Sequence, residues 1–364
     1  MKHIGWMAAL FFVMPAPARA EKVLSGGDLT LNVGALLQPE TQIAEDAAPS
    51  GGTGTDFFLR RARLVLSGSL TRQVDFFIDT EQANLGKGGT TGNVSLLDAF
   101  GTFKIAPPVA IDGGLMLVPL TRHALQSAIS LNGIDYHSKL ILYPPNSNFI
   151  WRDLGIEARG LVLDGHLHYR AGVFAGVHGT AATEMMPVAR NQSDVPRLAG
   201  MVRWNFLGKE ETFFFPGISF ATEPLLSFGV GVDYQPNAVA AMTRANDYLA
   251  LASDVFAEIP TKGESQEVVF QGTFFRYDQG PDATGTGIGG FLEAGYRIAW
   301  FEPTVAYEQF STDHNPAGDY RAVHGGIAGF YEKHKANLKA DVALAKQGTA
   351  GNLMSFLLQA QLSL

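Results

Sequence analysis

No cysteine occurs among the 364 residues. That excludes a disulfide-stapled scaffold and any thiolate-ligated zinc or iron–sulfur site. Charge is sparse, with Asp, Glu, Lys and Arg making up 17% of the chain, and it is not basic, the formal net charge being -8. A nucleic-acid binder needs a basic footprint, so that class of partner is excluded. After residue 20 the chain lacks any apolar run of the roughly 20 residues that a membrane helix requires. Patches such as 225–232 are broken by Gly or polar residues. Low charge together with 46% hydrophobic residues also excludes disorder. What the chain does have is Gly, at 41, and Phe, at 25.

Lys2 and His3 precede an apolar run from Ile4 to Met14, and the segment closes with Ala18-Arg19-Ala20. A basic start, a short apolar stretch and an A-x-A site predict a secretory signal peptide over residues 1–20. Cleavage after Ala20 leaves 21–364 with 25 Lys and Arg against 35 Asp and Glu, a net charge of -10. An exported chain without a second membrane helix is either soluble outside the cytoplasm or a transmembrane β-barrel.

The dominant pattern beyond residue 20 has period two. Ala62, Leu64 and Leu66 alternate with Arg61, Arg63 and Ser67. Leu167, Tyr169, Ala171 and Val173 alternate with His168, Arg170, Gly172 and Phe174. Met354, Phe356, Leu358, Ala360 and Leu362 alternate with Ser355, Gln359, Gln361 and Ser363. Segments of about ten residues with one apolar and one polar face are the signature of transmembrane strands. About sixteen can be traced. The fold class is therefore all-β, a transmembrane antiparallel barrel occupying 21–364, with glycine expected in the lumen and turns and aromatics on the lipid face. Tyr169, Trp204, Phe206, Tyr234, Tyr296, Trp300 and Tyr307 are candidates for interfacial girdles.

Connections alternate in length, as they do in outer-membrane barrels. Short ones fall at 70–72, 106–108, 164–165 and 332–335; long polar ones at 38–55, 82–93, 178–196, 236–246 and 278–287. The longest is 119–152. One connection on the short side, 207–223, breaks the rule; its Phe213-Phe214-Phe215 could plug or brace the barrel floor.

Phe58-Leu59-Arg60-Arg61-Ala62-Arg63-Leu64 followed by Gly68 resembles the second-strand motif of the phosphate-selective porin O and P family. Leu97-Asp98-Ala99-Phe100, Gly113 to Pro119 and Thr121-Arg122-His123 resemble that family's stretch into the third loop. Glu302-Pro303 through Tyr307-Glu308, and Gly325-Gly326 through His334, resemble its C-terminal hairpins. The resemblance implies a sixteen-stranded outer-membrane porin, a homotrimer, with a long third loop folded into the pore and small anions such as phosphate as solutes. In two respects this chain departs from the family. It ends in Leu364 where such barrels end in Phe or Trp, and it lacks the strong excess of pore Arg and Lys found in phosphate-specific members.

The alternation assigns basic residues to the lumen at Arg61, Arg63, Lys104, Arg159, Arg170, Arg197, Arg203, Arg297 and Lys339. It places Asp75, Asp79, Asp98, Asp112, Glu157, Asp233, Asp254, Glu258, Glu293, Glu302, Glu308 and Asp341 there as well. The basic groups concentrate on the second and the sixth to eighth strands, the acidic ones on the ninth to thirteenth, so a transverse field is expected. Arg61 and Arg63 are expected to pair across strands with Asp75 and Asp79. Arg122, His123, His137 and Lys139, with Asp135 nearby, lie on the one loop expected to enter the lumen and are the leading selectivity candidates.

The rival classes are an outer-membrane lipase or protease and a non-conducting receptor barrel. No G-x-S-x-G elbow, H-E-x-x-H pair or Gly-rich phosphate loop appears. No catalytic, cofactor or metal set is read from the sequence, and no plug domain precedes the barrel. The expected function is a passive outer-membrane channel for small hydrophilic solutes, with the lipid bilayer as its surroundings.

Overall fold

The computed structural model describes residues 21–364 apart from 107, 146, 148, 150, 181–187, 211–212, 241–243, 264 and 282. The expected signal peptide lies outside the described residues. Alternating side chains place one face of each segment on lipid and the other inside, and the segments form strands. In chain order they are β1 (Glu21–Gly26), β2 (Leu29–Ala44), β3 (Gly54–Ser69), β4 (Val74–Leu85), β5 (Ser95–Ala106) and β6 (Val109–Leu117). Next come β7 (Arg152–Val162), β8 (Leu167–Phe174), β9 (Arg197–Leu207), β10 (Leu225–Val239), β11 (Asn246–Pro260) and β12 (Gln266–Asp278). The set ends with β13 (Gly287–Ile298), β14 (Phe301–Thr312), β15 (Tyr320–Glu332), β16 (Ala336–Gln347) and β17 (Leu353–Ser363).

From β2 onward each strand pairs antiparallel with the next, and β17 returns to pair with β2, setting Phe356 beside Ile43 and Gln359 beside Glu40. A sixteen-stranded barrel results, with no open edge between β2 and β17. Closure matters because lipid offers no hydrogen bonds to a free strand edge. The short β1 pairs with the start of β2, on the side that β17 uses further along. Among the described residues no helix is long and apolar enough to cross a membrane; the strands make the crossing.

Orientation follows the alternation. On β13, Leu292 is 56% exposed while Phe291 and Glu293 on either side are each 3% exposed. Trp204, Phe206, Tyr296, Trp300 and Tyr307 face outward, as girdle residues do. The expectation for phenylalanine needs correcting, however. Phe100, Phe174, Phe256, Phe275, Phe291, Phe310 and Phe330 are buried inside the barrel. The interior is not simply water-filled: two chain segments fold into it and pack on these rings.

Long connections gather at one end and short ones at the other, which sets the short end toward the periplasm. Three loops are shorter than the sequence suggests, because β2 runs on to Ala44, β4 to Leu85 and β10 to Val239. Their backbones stay in the ladder with β3 and β11, so polar residues such as Thr41 and Gln42 extend the wall rather than a loop.

Candidate pore constriction

Residues 118–151, the third long loop, turn into the barrel between β6 and β7. At the entry the Leu120 carbonyl passes so close to β10 that a Cβ on Gly231 would overlap it, so glycine is required there. The Arg122 backbone N–H then donates to Asp254 Oδ2 on β11 at 3.1 Å, and Thr121 Oγ1, just ahead of a short 3₁₀ turn at His123–Leu125, accepts from Ala124 N.

A second segment rises from the periplasmic end. The long connection 208–224 sends Phe213 to Phe220 up against the third loop. Phe215 N donates to Leu125 O (3.0 Å), Ser127 N to Phe215 O (2.9 Å) and Ile218 N to Ser130 O (2.9 Å). These are strand-like backbone bonds, and Gln126 and Phe215 form a parallel bridge. The expected brace of the barrel floor is therefore a partner of the loop. Phe213 stacks on Phe100 at 4.3 Å between centroids and Phe214 lies 5.1 Å from Phe77. Phe215, fully buried, joins Leu117, Leu125 and Met201 in an apolar knot.

Around that knot the arginines converge. Arg122, Arg170 and Arg203 sit 5.3, 5.5 and 5.6 Å from the centre of the Phe215 ring. Arg159 and Arg170 face Phe213 at 5.2 and 4.7 Å. Guanidinium groups over aromatic faces keep attraction without losing their outward N–H groups. Each of the four also has a carboxylate: Arg122 with Glu210 (2.5 and 3.1 Å), Arg159 with Asp112 (2.5 Å), Arg170 with Glu157 (3.5 Å), and Arg203 with Asp254. Even so, Arg122 Nη1 and Arg203 Nε, both buried, have no hydrogen-bond partner among the described residues.

Other expected residues are more scattered. Arg197 is clasped by Asp233 (2.5 and 2.8 Å) and Asp153 (3.3 Å) near the outer mouth. Arg63 pairs with Asp79 at 3.3 Å as expected, and also with Glu81 at 2.9 Å. Arg61 does not reach Asp75. It bonds Asp135 on the loop at 2.5 Å and Gln38 at 2.9 Å, while Asp75 takes Lys104 at 2.7 Å. Lys104 thus sits near the periplasmic mouth, beside a cavity of about 780 Å³ that Arg72, Arg159 and His168 also line. Lys139 is exposed in an outer cavity of about 590 Å³, beyond the constriction.

Arg60 was missed by the alternation, and the reason is local. A bulge opposite Gln38 and Pro39 shifts the β2–β3 register, so Arg60 and Arg61 both reach Asp135. Pro39 inside a strand was the available signal. Arg152, which grips Asp98 through two bonds of 2.9 and 3.0 Å at the loop's exit, was also missed.

The loop's titrating groups divide by environment. Burial works against ionisation of Asp135, but Arg61 and Arg60 prevail and hold its carboxyl well below the usual range. Burial and the neighbouring His137 push His123 down to about 4. It accepts the His137 backbone N–H at Nε2 (3.1 Å), which leaves Nδ1 to donate to Gln126 Oε1 (2.8 Å); the ring is neutral. His137 is buried too, yet hydrogen bonds to Glu293 and Glu308 raise it to about 9. Of the four loop candidates, then, Arg122 and His137 bring charge into the constriction, and His123 and Lys139 do not.

The family model of phosphate-selective porin O and P matches residues 46–213. Over that stretch the chain is similar to that family. The match covers the second-strand motif, the third loop and the rising Phe213, and it bears out the resemblance seen in the sequence over that stretch. Among solved structures the porin is similar to an anion-selective porin from Comamonas acidovorans, at 12% identity and a TM-score of 0.56 over 92% of this chain and 100% of that one. It is also similar to the outer-membrane channel DcaP of Acinetobacter baumannii (12%, TM-score 0.59, 92% and 97% covered). A third is the trimer form of OmpT, an outer-membrane protein of Vibrio cholerae (10%, TM-score 0.55, 92% and 99%). No curated protein matches the chain. The likeness to these structures is one of fold, and with the family match it places the porin in the bacterial outer membrane.

Proposed function

We propose that this porin is a passive channel for small hydrophilic solutes with a preference for anions, phosphate among them. The observation that carries the preference is the group of guanidiniums around Phe213 and Phe215, where Arg122 Nη1 and Arg203 Nε keep hydrogen-bond capacity to spare. A partly dehydrated anion passing there meets the positive field of the cluster and, at the partly exposed Arg159, exchanges water for charged N–H donors. Below it, Arg72, Lys104 and Arg159 line the periplasmic cavity, so the basic path continues toward the cell. The paired carboxylates temper this field and make it a filter rather than a trap. Support for an anion preference also comes from the similar porin of Comamonas acidovorans, which is described as anion-selective.

The histidines facing the lumen fit a channel wall better than a hydrolase. His168 meets the Phe215 ring edge-on at 5.4 Å, and His324 bonds Asp341 and Glu308. A homotrimer is part of the proposal. On the outer side of β3 to β5, Ala62, Thr80, Gln82, Ala99 and Gly101 form a small and polar strip between the exposed Leu64, Ile78, Leu96 and Phe103. Such a face suits close contact with a second copy better than contact with acyl chains.

Planar-bilayer recording in a KCl gradient tests the channel reading, with phosphate then added. Anion-selective reversal potentials and reduced chloride current in phosphate are the expected results. Cation selectivity without any effect of phosphate refutes the preference; absence of conductance refutes the channel.

A further inference from the structure

His137, Glu308 and His324 belong to the third loop, β14 and β15, and the first two lie 171 positions apart in sequence. In space they converge. His137 Nδ1 lies 2.8 Å from Glu308 Oε2, and His324 Nε2 lies 3.4 Å from Glu308 Oε1. One donor atom from each of the three lies within 4.8 Å of the others. We infer that these residues form a binding site for one divalent first-row transition cation, with Zn²⁺ the representative ion, joining the third loop to the barrel wall.

Three features support the assignment. The donor set is two imidazoles and a carboxylate, the combination that suits zinc, nickel or copper rather than the all-oxygen sets of calcium and magnesium. With metal–ligand bonds of about 2.0–2.1 Å, tetrahedral ligands stand roughly 3.3 Å apart, so the widest gap closes by about 1.5 Å or less. The far side of each ring is also already organised. His137 Nε2 is held by Glu293 at 3.3 Å and His324 Nδ1 by Asp341 at 3.0 Å. A carboxylate behind each ligating imidazole fixes the ring and the nitrogen that faces the ion, the usual outer layer of a histidine metal site.

Access and charge agree with this. The His324 side chain is 23% exposed, leaving a coordination position for water from the lumen. Tyr320, which donates to Glu308 Oε1 at 2.6 Å, lines the outer cavity, so an ion can arrive from outside the cell. Three carboxylates (Glu293, Glu308 and Asp341) surround the two imidazoles, so a bound divalent cation, displacing protons from the ligating nitrogens, takes over the positive charge that offsets them.

Equilibrium dialysis of the detergent-solubilised protein against ZnCl₂ or MgCl₂, with bound metal counted directly, tests the site apart from any conduction. The expected result is one Zn²⁺ per chain at about 100 μM or below, little Mg²⁺, and affinity weakened about 10- to 100-fold in His324→Ala and in Asp341→Asn. Both variants are checked for the heat-modifiable migration of a folded barrel. Glu308→Gln provides a second probe of the set should His324→Ala fail to fold. No Zn²⁺ uptake, equal uptake of Mg²⁺, or uptake unchanged in the folded variants overturns the assignment.

Discussion

Asp135 and His137 stand two positions apart on the third loop and are gripped by opposite charges on different stretches of wall. Asp135 receives Arg60 at 2.7 Å and Arg61 at 2.5 Å from β3, while His137 lies 2.8 Å from Glu308 of β14 and 3.3 Å from Glu293 of β13. The loop carries an acid toward the basic arc and a base toward the acidic arc. Its position across the lumen is therefore set electrostatically at its tip, as well as by apolar packing at its root.

Asp135→Asn removes one of these two attachments and leaves Arg61 buried with weaker partners. A loss of up to about 3 kcal/mol is expected, because an uncompensated buried charge is costly. The loop should then fluctuate. Heat denaturation should move down and open-channel current noise up; a quiet, wild-type trace would show that the tip needs no tether.

Phe215 holds the rising segment to the loop and gathers three arginines around its ring. Replacing Phe213, Phe214 and Phe215 by Ser removes the floor brace without touching any strand. Single-channel conductance is expected to rise by at least about twofold, since a constriction has lost bulk. Unchanged conductance would place the narrowest point elsewhere.

Gly231→Ala tests the crossing of the loop over β10. The added Cβ meets the Leu120 carbonyl, which cannot swing aside as a side chain would, so a destabilisation of about 1–3 kcal/mol is expected. Gly325→Ala on β15 is the matched control, because a Cβ there meets nothing. Equal melting of the two variants would contradict the close approach.

Arg122→Gln with Arg203→Gln removes the two guanidiniums that keep spare donors. The reversal potential in a KCl gradient should shift toward cations, and inhibition by phosphate should weaken. If selectivity is untouched, the charges that choose the ion lie elsewhere on the path, with Arg72 and Lys104 the next to examine.

Acid should loosen the floor brace through His334, which lies in the turn between β15 and β16. Its Nε2 donates to Ile218 O at 2.7 Å, and Nδ1 is buried without a partner among the described residues. Burial lowers its pKa to about 4 from the ordinary 6.5, the bond to Ile218 opposes this, and Lys339 and Lys333 reinforce it. A lowered histidine pKa stabilises the docked segment fully above pH 6.5, and that contribution is lost as pH falls toward 4. Conductance of the native protein should rise between pH 7 and pH 4.5, and the rise should vanish in His334→Gln, which keeps a donor but does not titrate.

The wall was legible because a strand in lipid must alternate, whatever its partners. Leu292 between Phe291 and Glu293 shows the rule working. It failed where the backbone departs from period two, as at the bulge that turns Arg60 inward with Arg61. It also failed for the buried phenylalanines, because inward Phe291 and outward Leu292 are both apolar and nothing local says that a loop will cover one of them. Partners of the loop were beyond reach for a different reason. Asp135 and Arg61, or His137 and Glu308, are joined only after the barrel has closed and brought distant strands together. The length of 207–223 did signal something unusual; what the extra residues pack against depends on the loop descending from the other side.

The seam at β2 has a consequence for the order of assembly. Its two ladders on that side are supplied by β1 and β17, the first and last strands, laid end to end along one edge. Until β17 has been synthesised and exported, β16 and the part of β2 from Leu36 onward both present raw hydrogen-bonding edges, since β1 covers only the start of β2. The barrel therefore closes as a late, single event across nearly the full contour of the chain. A chaperone that shields those two edges in the periplasm would guard the stage at which the protein is most exposed to mispairing.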